Sequence, residues 1–251
     1  MDDRGYLIFH DKRSSDFGMW INLDNAHPHS NRNITLTDIP GRSGNLLQDN
    51  NGSRSNAQLQ IKVDIELPER FNDFYDLEDA IVDWLDGDDY SYLGFSWKPG
   101  FLYHAVVVTF PEFTPNLSTV PEQEQATLTF ECEPWKYVTQ SIKWQPLPKS
   151  QKIVNDYKIT YPDWHIVGTG DFSLNVAGFP YLINGLDGEI YIDGQTAQAY
   201  AGDGTDLSSS VQWANNDAPC LLTGDNVVAL TVGDGATLTK AEWKPKYRRV
   251  M

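Results

Sequence analysis

Between positions 59 and 67 apolar and polar residues alternate without a break. Leu59, Ile61, Val63, Ile65 and Leu67 therefore fall on one face of a β-strand, and Gln60, Lys62, Asp64 and Glu66 on the other. Pro68 changes the period. Phe71, Phe74, Leu77, Ile81, Trp84 and Leu85 recur every three or four residues, with Glu69 in the first turn and Gly87 behind the last, which predicts one amphipathic helix over about 69–86. Strand patterns resume over 103–110, and over 125–132, where Ala126, Leu128, Phe130 and Cys132 alternate with Thr127, Thr129 and Glu131. The stretch 111–124 has Pro111, Pro115 and Pro121 but no period. It reads as a long hairpin loop or arm, and loops longer than roughly 12 residues usually serve an interface or stay mobile. Phe113, Leu117 and Val120 are spaced to anchor such an arm on a neighbouring subunit. The loop from Pro40 to Gly52, which contains Arg42, is the second segment able to reach one.

Prolines 146 and 148 and the bases Lys143, Lys149, Lys152 and Lys158 mark a change of composition that divides the chain at 141. Beyond it, short strand-like runs over 172–176, 189–192, 220–222, 227–232 and 236–243 are separated by Asn184-Gly185, Asp187-Gly188, Asp193-Gly194, Asp203-Gly204 and Asp234-Gly235. Such a series predicts an antiparallel sandwich with hairpin turns. The expected fold is thus mainly β in both halves, with a single helix in the first, and no fixed repeat that would indicate a propeller or solenoid.

Charge narrows the partners. Nineteen Lys and Arg against 35 Asp and Glu leave a net charge of −16, the reverse of the basic footprint of a nucleic-acid binder, so sequence-specific nucleic-acid binding is not expected. Up to residue 141 there are 10 bases and 23 acids, net −13; the remainder has 9 and 12, net −3. Nine acids lie between Glu69 and Asp89 beside the single base Arg70, a pattern read as a solvated helix face rather than a metal site. Apolar runs such as Ala105-Val106-Val107-Val108 are far shorter than a membrane helix, and the acidic start of the sequence does not look like a secretory leader. No membrane insertion is expected, and synthesis is placed in the cytoplasm.

The residues point to no catalytic group, cofactor or metal. His10, His27, His29, His104 and His165 fall in no metal-binding frame, Cys132 and Cys220 read as reduced core residues, and the Asp-Gly pairs are better explained as turns than as calcium loops. No nucleophile elbow, P-loop or dinucleotide fingerprint is present, and paired carboxylates arise by chance in so acidic a chain. Eight Trp, twelve Tyr and eleven Phe could furnish a sugar-binding face or an assembly surface, although most belong in the core; Trp213 is the representative taken for a sugar site. At the C-terminus, Lys246, Tyr247, Arg248 and Arg249 interleave bases and aromatics. They could dock the segment on an acidic surface of the first domain or of a neighbour.

Taken in order, Ile39-Pro40-Gly41-Arg42-Ser43-Gly44, Ile81-Val82-Asp83-Trp84-Leu85, Tyr90-Ser91-Tyr92-Leu93-Gly94-Phe95, Leu128-Thr129-Phe130-Glu131-Cys132-Glu133-Pro134-Trp135, Gly188-Glu189-Ile190-Tyr191-Ile192-Asp193-Gly194 and Thr223-Gly224-Asp225-Asn226 resemble the distal tail protein family. These are baseplate hub proteins of phages with long, non-contractile tails. The resemblance implies an N-terminal, β-sandwich-like ring domain over 1–141 with one α-helix, and a C-terminal galectin-like antiparallel β-sandwich over 142–251; the bases and aromatics of its last residues add the expectation that these pack back on the first domain. It further implies a structural virion protein at the tail tip that forms a homohexamer, including back-to-back rings, around a channel for DNA. Its partners would be the tail tube protein, the tail-associated protein and receptor-binding or other baseplate proteins. Negative walls suit such a conduit, because they repel phosphates and so do not trap DNA. Two other readings compete: a carbohydrate-binding module using aromatics of the C-terminal sandwich in host adhesion, and a tail-tube subunit, against which the second domain argues.

Overall fold

The structure, a computed structural model, describes residues 4–21, 29–116, 123–148 and 150–251. The chain forms two compact units: residues up to Lys136 together with Val250–Met251, and Tyr137–Arg249. Among the described residues it is mainly β with one α-helix, and every resolved strand pairing is antiparallel. Among the described residues no helix is long and apolar enough to cross a membrane.

The first unit contains β1 (Leu7–Phe9), β2 (Lys12–Arg13), β3 (Met19–Ile21), β4 (Arg32–Thr37), β5 (Leu46–Arg54), β6 (Ala57–Glu66), α1 (Phe74–Leu85), β7 (Ser91–Phe95), β8 (Phe101–Thr109), β9 (Thr114–Asn116) and β10 (Gln123–Val138). Its main sheet runs β2-β1-β7-β8-β10-β6-β3. The sheet curls until the segments at its two ends meet, the Ile21 amide donating to the Gly5 carbonyl at 2.8 Å. Alternation along β6 buries Ala57, Leu59, Ile61, Val63 and Ile65, as the pattern predicts. Leu67 lies past the strand end and is exposed.

The helix begins later than its apolar period indicates. Asp73 caps it, its side chain accepting from the Asp76 amide at 2.9 Å, so residues 69–72 remain outside despite the helical spacing of Phe71. Leu77, Ile81, Trp84 and Leu85 are buried, whereas Asp76, Asp79, Asp83 and Asp86 face solvent. Replacing Asp73 with Ala should lower stability by about 1 kcal/mol, read as a shift in the urea unfolding midpoint of the first unit; an unchanged midpoint would mean that water serves the amide equally well. Met251 is buried in the same unit, its amide donating to the Pro134 carbonyl at 2.9 Å. Cys132 is also buried there, and desolvation pushes its thiol up to about 12. Cys220 is a free thiol too, but only half-buried.

The second unit contains β11 (Gln145–Pro146), β12 (Ser150–Asn155), β13 (Asp163–Val176), β14 (Phe179–Asp193), β15 (Gln198–Tyr200), β16 (Val211–Gln212), β17 (Gly224–Val232) and β18 (Thr237–Lys244), and the chain leaves it along β19 (Arg248–Val250). One path runs β11-β18-β13-β14-β15, with β17 joining β13 to β12 and β16 on β14. Trp164 and Trp243 stack in the core with centroids 5.3 Å apart. Two readings of the sequence change here. Asn184-Gly185 and Asp187-Gly188 are not turns but lie inside β14, the first at a register shift against β13 and the second in register with Thr169 and Gly168. Gly185 and Gly188 take φ of 61° and 110°, which L side chains disfavour, and it is Gly185 that absorbs the irregularity. The expected strand over 220–222 is reduced to one bridge, Thr160 with Leu221.

Candidate assembly surfaces

The clearest unpartnered feature of the first unit is the hairpin β4–β5, which forms a two-stranded sheet of its own. The sequence reading had only a loop here, over Pro40 to Gly52. Ile39, Pro40 and Arg42 instead belong to the turn of a longer ribbon, where the Arg42 amide donates to the Ile39 carbonyl at 3.1 Å and its side chain is exposed. Registers Leu36↔Leu47 and Ile34↔Asp49 put Ile34, Leu36 and Leu47 on one face. They are 39%, 57% and 51% exposed. Isolated two-stranded hairpins are marginal in water, so this ribbon gains from a surface supplied by another chain. Its polar groups pin the ribbon's register. Arg32 pairs with Asp49 at 2.6 Å, and the bond from that guanidinium, assisted by the Gly52 amide, holds the Asp49 carboxyl below the usual carboxylate range.

The arm over 111–124 is in part a hairpin. Strand β9 pairs with the start of β10 through Thr114↔Gln125, Pro115↔Glu124 and Asn116↔Gln123. Leu117 and Val120 lie outside the described residues. Phe113 is half-buried and packs against the core of its own unit, which leaves Val108 and Phe110, 59% and 43% exposed, as the large apolar groups offered beside it. An open depression next to the arm is lined by Lys62, Asp64, Phe110, Glu112, Gln125 and Thr127, and Gln125 donates to Asp64 at 2.7 Å. Among the described residues no recorded contact joins Phe113 to Arg42.

The C-terminal bases are held within the second unit. Lys246 pairs with Asp163 at 2.5 Å, both side chains being mostly buried. Burial raises the Asp163 carboxyl, and Lys246 opposes that shift. Tyr247 stacks on Tyr157 at 5.6 Å, and its carbonyl accepts from the Val138 amide. Arg248 lies over Tyr161 and donates to the Ile159 carbonyl, while Arg249 lies over Tyr157. Each aromatic and base singled out by the sequence therefore has a partner in the second unit. Trp213 is half-buried against the core there and donates to the Ser208 carbonyl at 3.3 Å.

The ribbon escaped the sequence reading because its strands are bracketed by polar residues and joined by a turn of eight residues, 38–45. The signal that could have found it is the Ile34, Leu36 and Leu46, Leu47 pairing about a Gly-rich turn.

No protein-family model matches the chain, and no curated protein sequence does either. Solved structures do. The crystal structure of the SPP1 Dit (gp 19.1) protein, described as a paradigm of the hub adsorption apparatus in phages infecting Gram-positive bacteria, is similar with a TM-score of 0.63 and 13% identity, over 95% of this chain and 96% of that one. A chain of the phage P2 baseplate in its activated conformation with Ca is similar with a TM-score of 0.60 and 11% identity, over 99% and 98%. The same baseplate with Sr gives 0.56 at 11% identity. What is shared at these identities is the fold across nearly the whole length, so this chain has the fold found in the phage SPP1 hub protein and in the phage P2 baseplate.

Proposed function

We propose that this chain is a structural, non-enzymatic virion protein of a phage tail tip that assembles as a hexameric ring, alone or as back-to-back rings. The ring links the tail tube to tail-associated and receptor-binding baseplate proteins and leaves a channel for DNA. The observation that carries this reading is the β4–β5 ribbon, whose apolar face is left exposed among the described residues, in a chain with the fold of phage hub and baseplate proteins. A ring in which each ribbon lies on the next subunit would bury that face six times over. The arm hairpin and the exposed Val108 and Phe110 supply a second contact to a neighbour. The acids on the outer face of α1 are suited to a channel wall or its rim, where they would repel DNA phosphates.

Electron microscopy of the purified chain, together with gold labelling of virions, tests this. Six-fold rings in the first and label at the tail tip alone in the second are expected. Label along the whole tail would assign the chain to the tube, and a 28.4 kDa monomer absent from virions would reject the hub.

A further inference from the structure

The pleat of the second unit's sheet turns Trp164, Ile166, Ile190, Ile192, Ala199 and Trp243 into the core. Their neighbours along the chain therefore point outward from the same strands. Registers Glu242↔His165, His165↔Tyr191 and Tyr191↔Tyr200 line these four residues up across β18, β13, β14 and β15. An outward sheet face is ordinarily polar, yet this row is largely aromatic. The His165 and Tyr191 rings stack at 4.1 Å and 4°, and Tyr191 and Tyr200 at 5.7 Å and 11°. Trp144, just before β11, sits 5.7 Å from His165 and 6.0 Å from Tyr191, and the Lys244 ammonium lies 4.5 Å from the Trp144 ring. His165 is buried beneath this cover, whereas the flanking rings Trp144 and Tyr200 are 36% and 40% exposed.

We propose that this row, from Trp144 through His165 and Tyr191 to Tyr200, is a binding site for a neutral oligosaccharide.

The polar groups are what distinguish the row from a merely apolar face. Glu189 Oε2 is bonded to both His165 Nε2, at 3.0 Å, and the Tyr191 hydroxyl, at 3.3 Å, so the carboxylate is held in one orientation. Burial, and then the Glu189 charge, raise the pKa of the Tyr191 hydroxyl, which keeps it a donor. The other oxygen, Oε1, accepts no recorded hydrogen bond among the described residues and lies against Gly202, where a Cβ would stand 2.0 Å from it. The glycine thus lets the backbone two residues after Tyr200 approach a fixed acceptor. Lys240 and Glu242, paired at 2.8 Å, continue the polar rim.

Exposed ring faces accept the C–H face of a pyranose, and a pre-oriented carboxylate takes hydroxyl donors through charge-assisted bonds. His165 and Tyr200 are two strand spacings apart, roughly 10 Å, so the row has room for more than one sugar ring. The ligand should be neutral, because Glu189, Glu242 and a net charge of −16 repel acidic sugars. Placement on paired strands means that little ordering is lost on binding. Trp213, by contrast, is packed inward and has no place in this site.

The proposal does not rest on the hub reading, since the whole row lies in the second unit. The full-length chain should be displayed multivalently on an array of neutral hexose, N-acetylhexosamine and 6-deoxyhexose oligosaccharides, and the binding sugar then titrated against tryptophan fluorescence. We expect at least one specific sugar, with affinity falling roughly tenfold or more on Tyr200→Ala and on Glu189→Gln and unchanged on Tyr75→Ala, which alters an exposed residue of α1. Particle mass, measured in parallel, should be the same for all three variants. Tyr200 is on an edge strand, and Glu189→Gln preserves shape; circular dichroism checks both folds, and either variant alone suffices for the test. Retention of no sugar by the wild-type chain, or binding that survives both substitutions, would overturn the site. So would a tail protein found seated on this face in virions while the free chain holds no sugar.

Discussion

Replacing Leu36 and Leu47 together with Asp should convert the proposed rings into folded monomers while leaving the melting of each unit unchanged. The two leucines face each other across the β4–β5 ribbon and are about half exposed, so little intramolecular burial is lost when they are replaced. Against a neighbouring subunit the balance is different. Covering the exposed half of each side chain is worth on the order of 1 kcal/mol, and burying a carboxylate there without a partner costs several more. Because a closed ring repeats the contact at every interface, the effect on assembly far exceeds that at a single site. Mass photometry over a concentration series, with circular dichroism melting of the same samples, reads both halves of the expectation. A double variant that keeps the wild-type mass would show the ribbon to be dispensable and would shift the ring contact to the arm hairpin.

The largest effect on stability is expected at Trp84. Its ring stacks on Phe17 at 4.7 Å, its Nε1 donates to the Phe9 carbonyl at 2.8 Å, and its own carbonyl bonds to His10 Nδ1 at 3.0 Å. One residue thus ties the last turn of α1 to the edge of the curled sheet. Trp84→Ala would remove the ring, leave a cavity between helix and sheet, and strip the Phe9 carbonyl of its donor. Together these cost about 3–5 kcal/mol. Urea unfolding followed by circular dichroism should show the first unit's transition moving to much lower denaturant while the second unit's transition stays in place. A shift no larger than that expected for Asp73→Ala would mean that the sheet closes without the helix.

Much of this architecture was legible along the chain because local periodicity and burial agree. The alternation from Leu59 to Ile65 became β6, the run from Ala126 to Cys132 became part of β10, and the spacing of Leu77, Ile81, Trp84 and Leu85 became the buried stripe of α1. In these elements each residue's face is decided by its neighbours two or four positions away. The start of α1 was less legible, since an apolar residue at helical spacing such as Phe71 can pack from a loop, and only the Asp73 cap settles where the backbone turns helical. Glycine after Asp or Asn was ambiguous for a related reason. The same φ > 0 that makes a turn at Asp203-Gly204 serves, at Gly185, to accommodate irregular pairing inside one long strand.

By itself the sequence determined a mainly β chain with one helix, an acidic first half, and the order of short motifs that resembles phage distal tail proteins. These properties are carried by residue type and near-neighbour spacing. Tertiary structure alone decided which apolar and aromatic side chains remain outside. Leu36 and Leu47 are exposed because their two strands pair only with each other, and Trp213 is turned inward although its type promised a surface. Trp144, His165, Tyr191 and Tyr200 are spread over 57 positions of sequence. They meet because strand register is set by hydrogen bonds between segments distant in the chain, and no local pattern records which residue will stand opposite which.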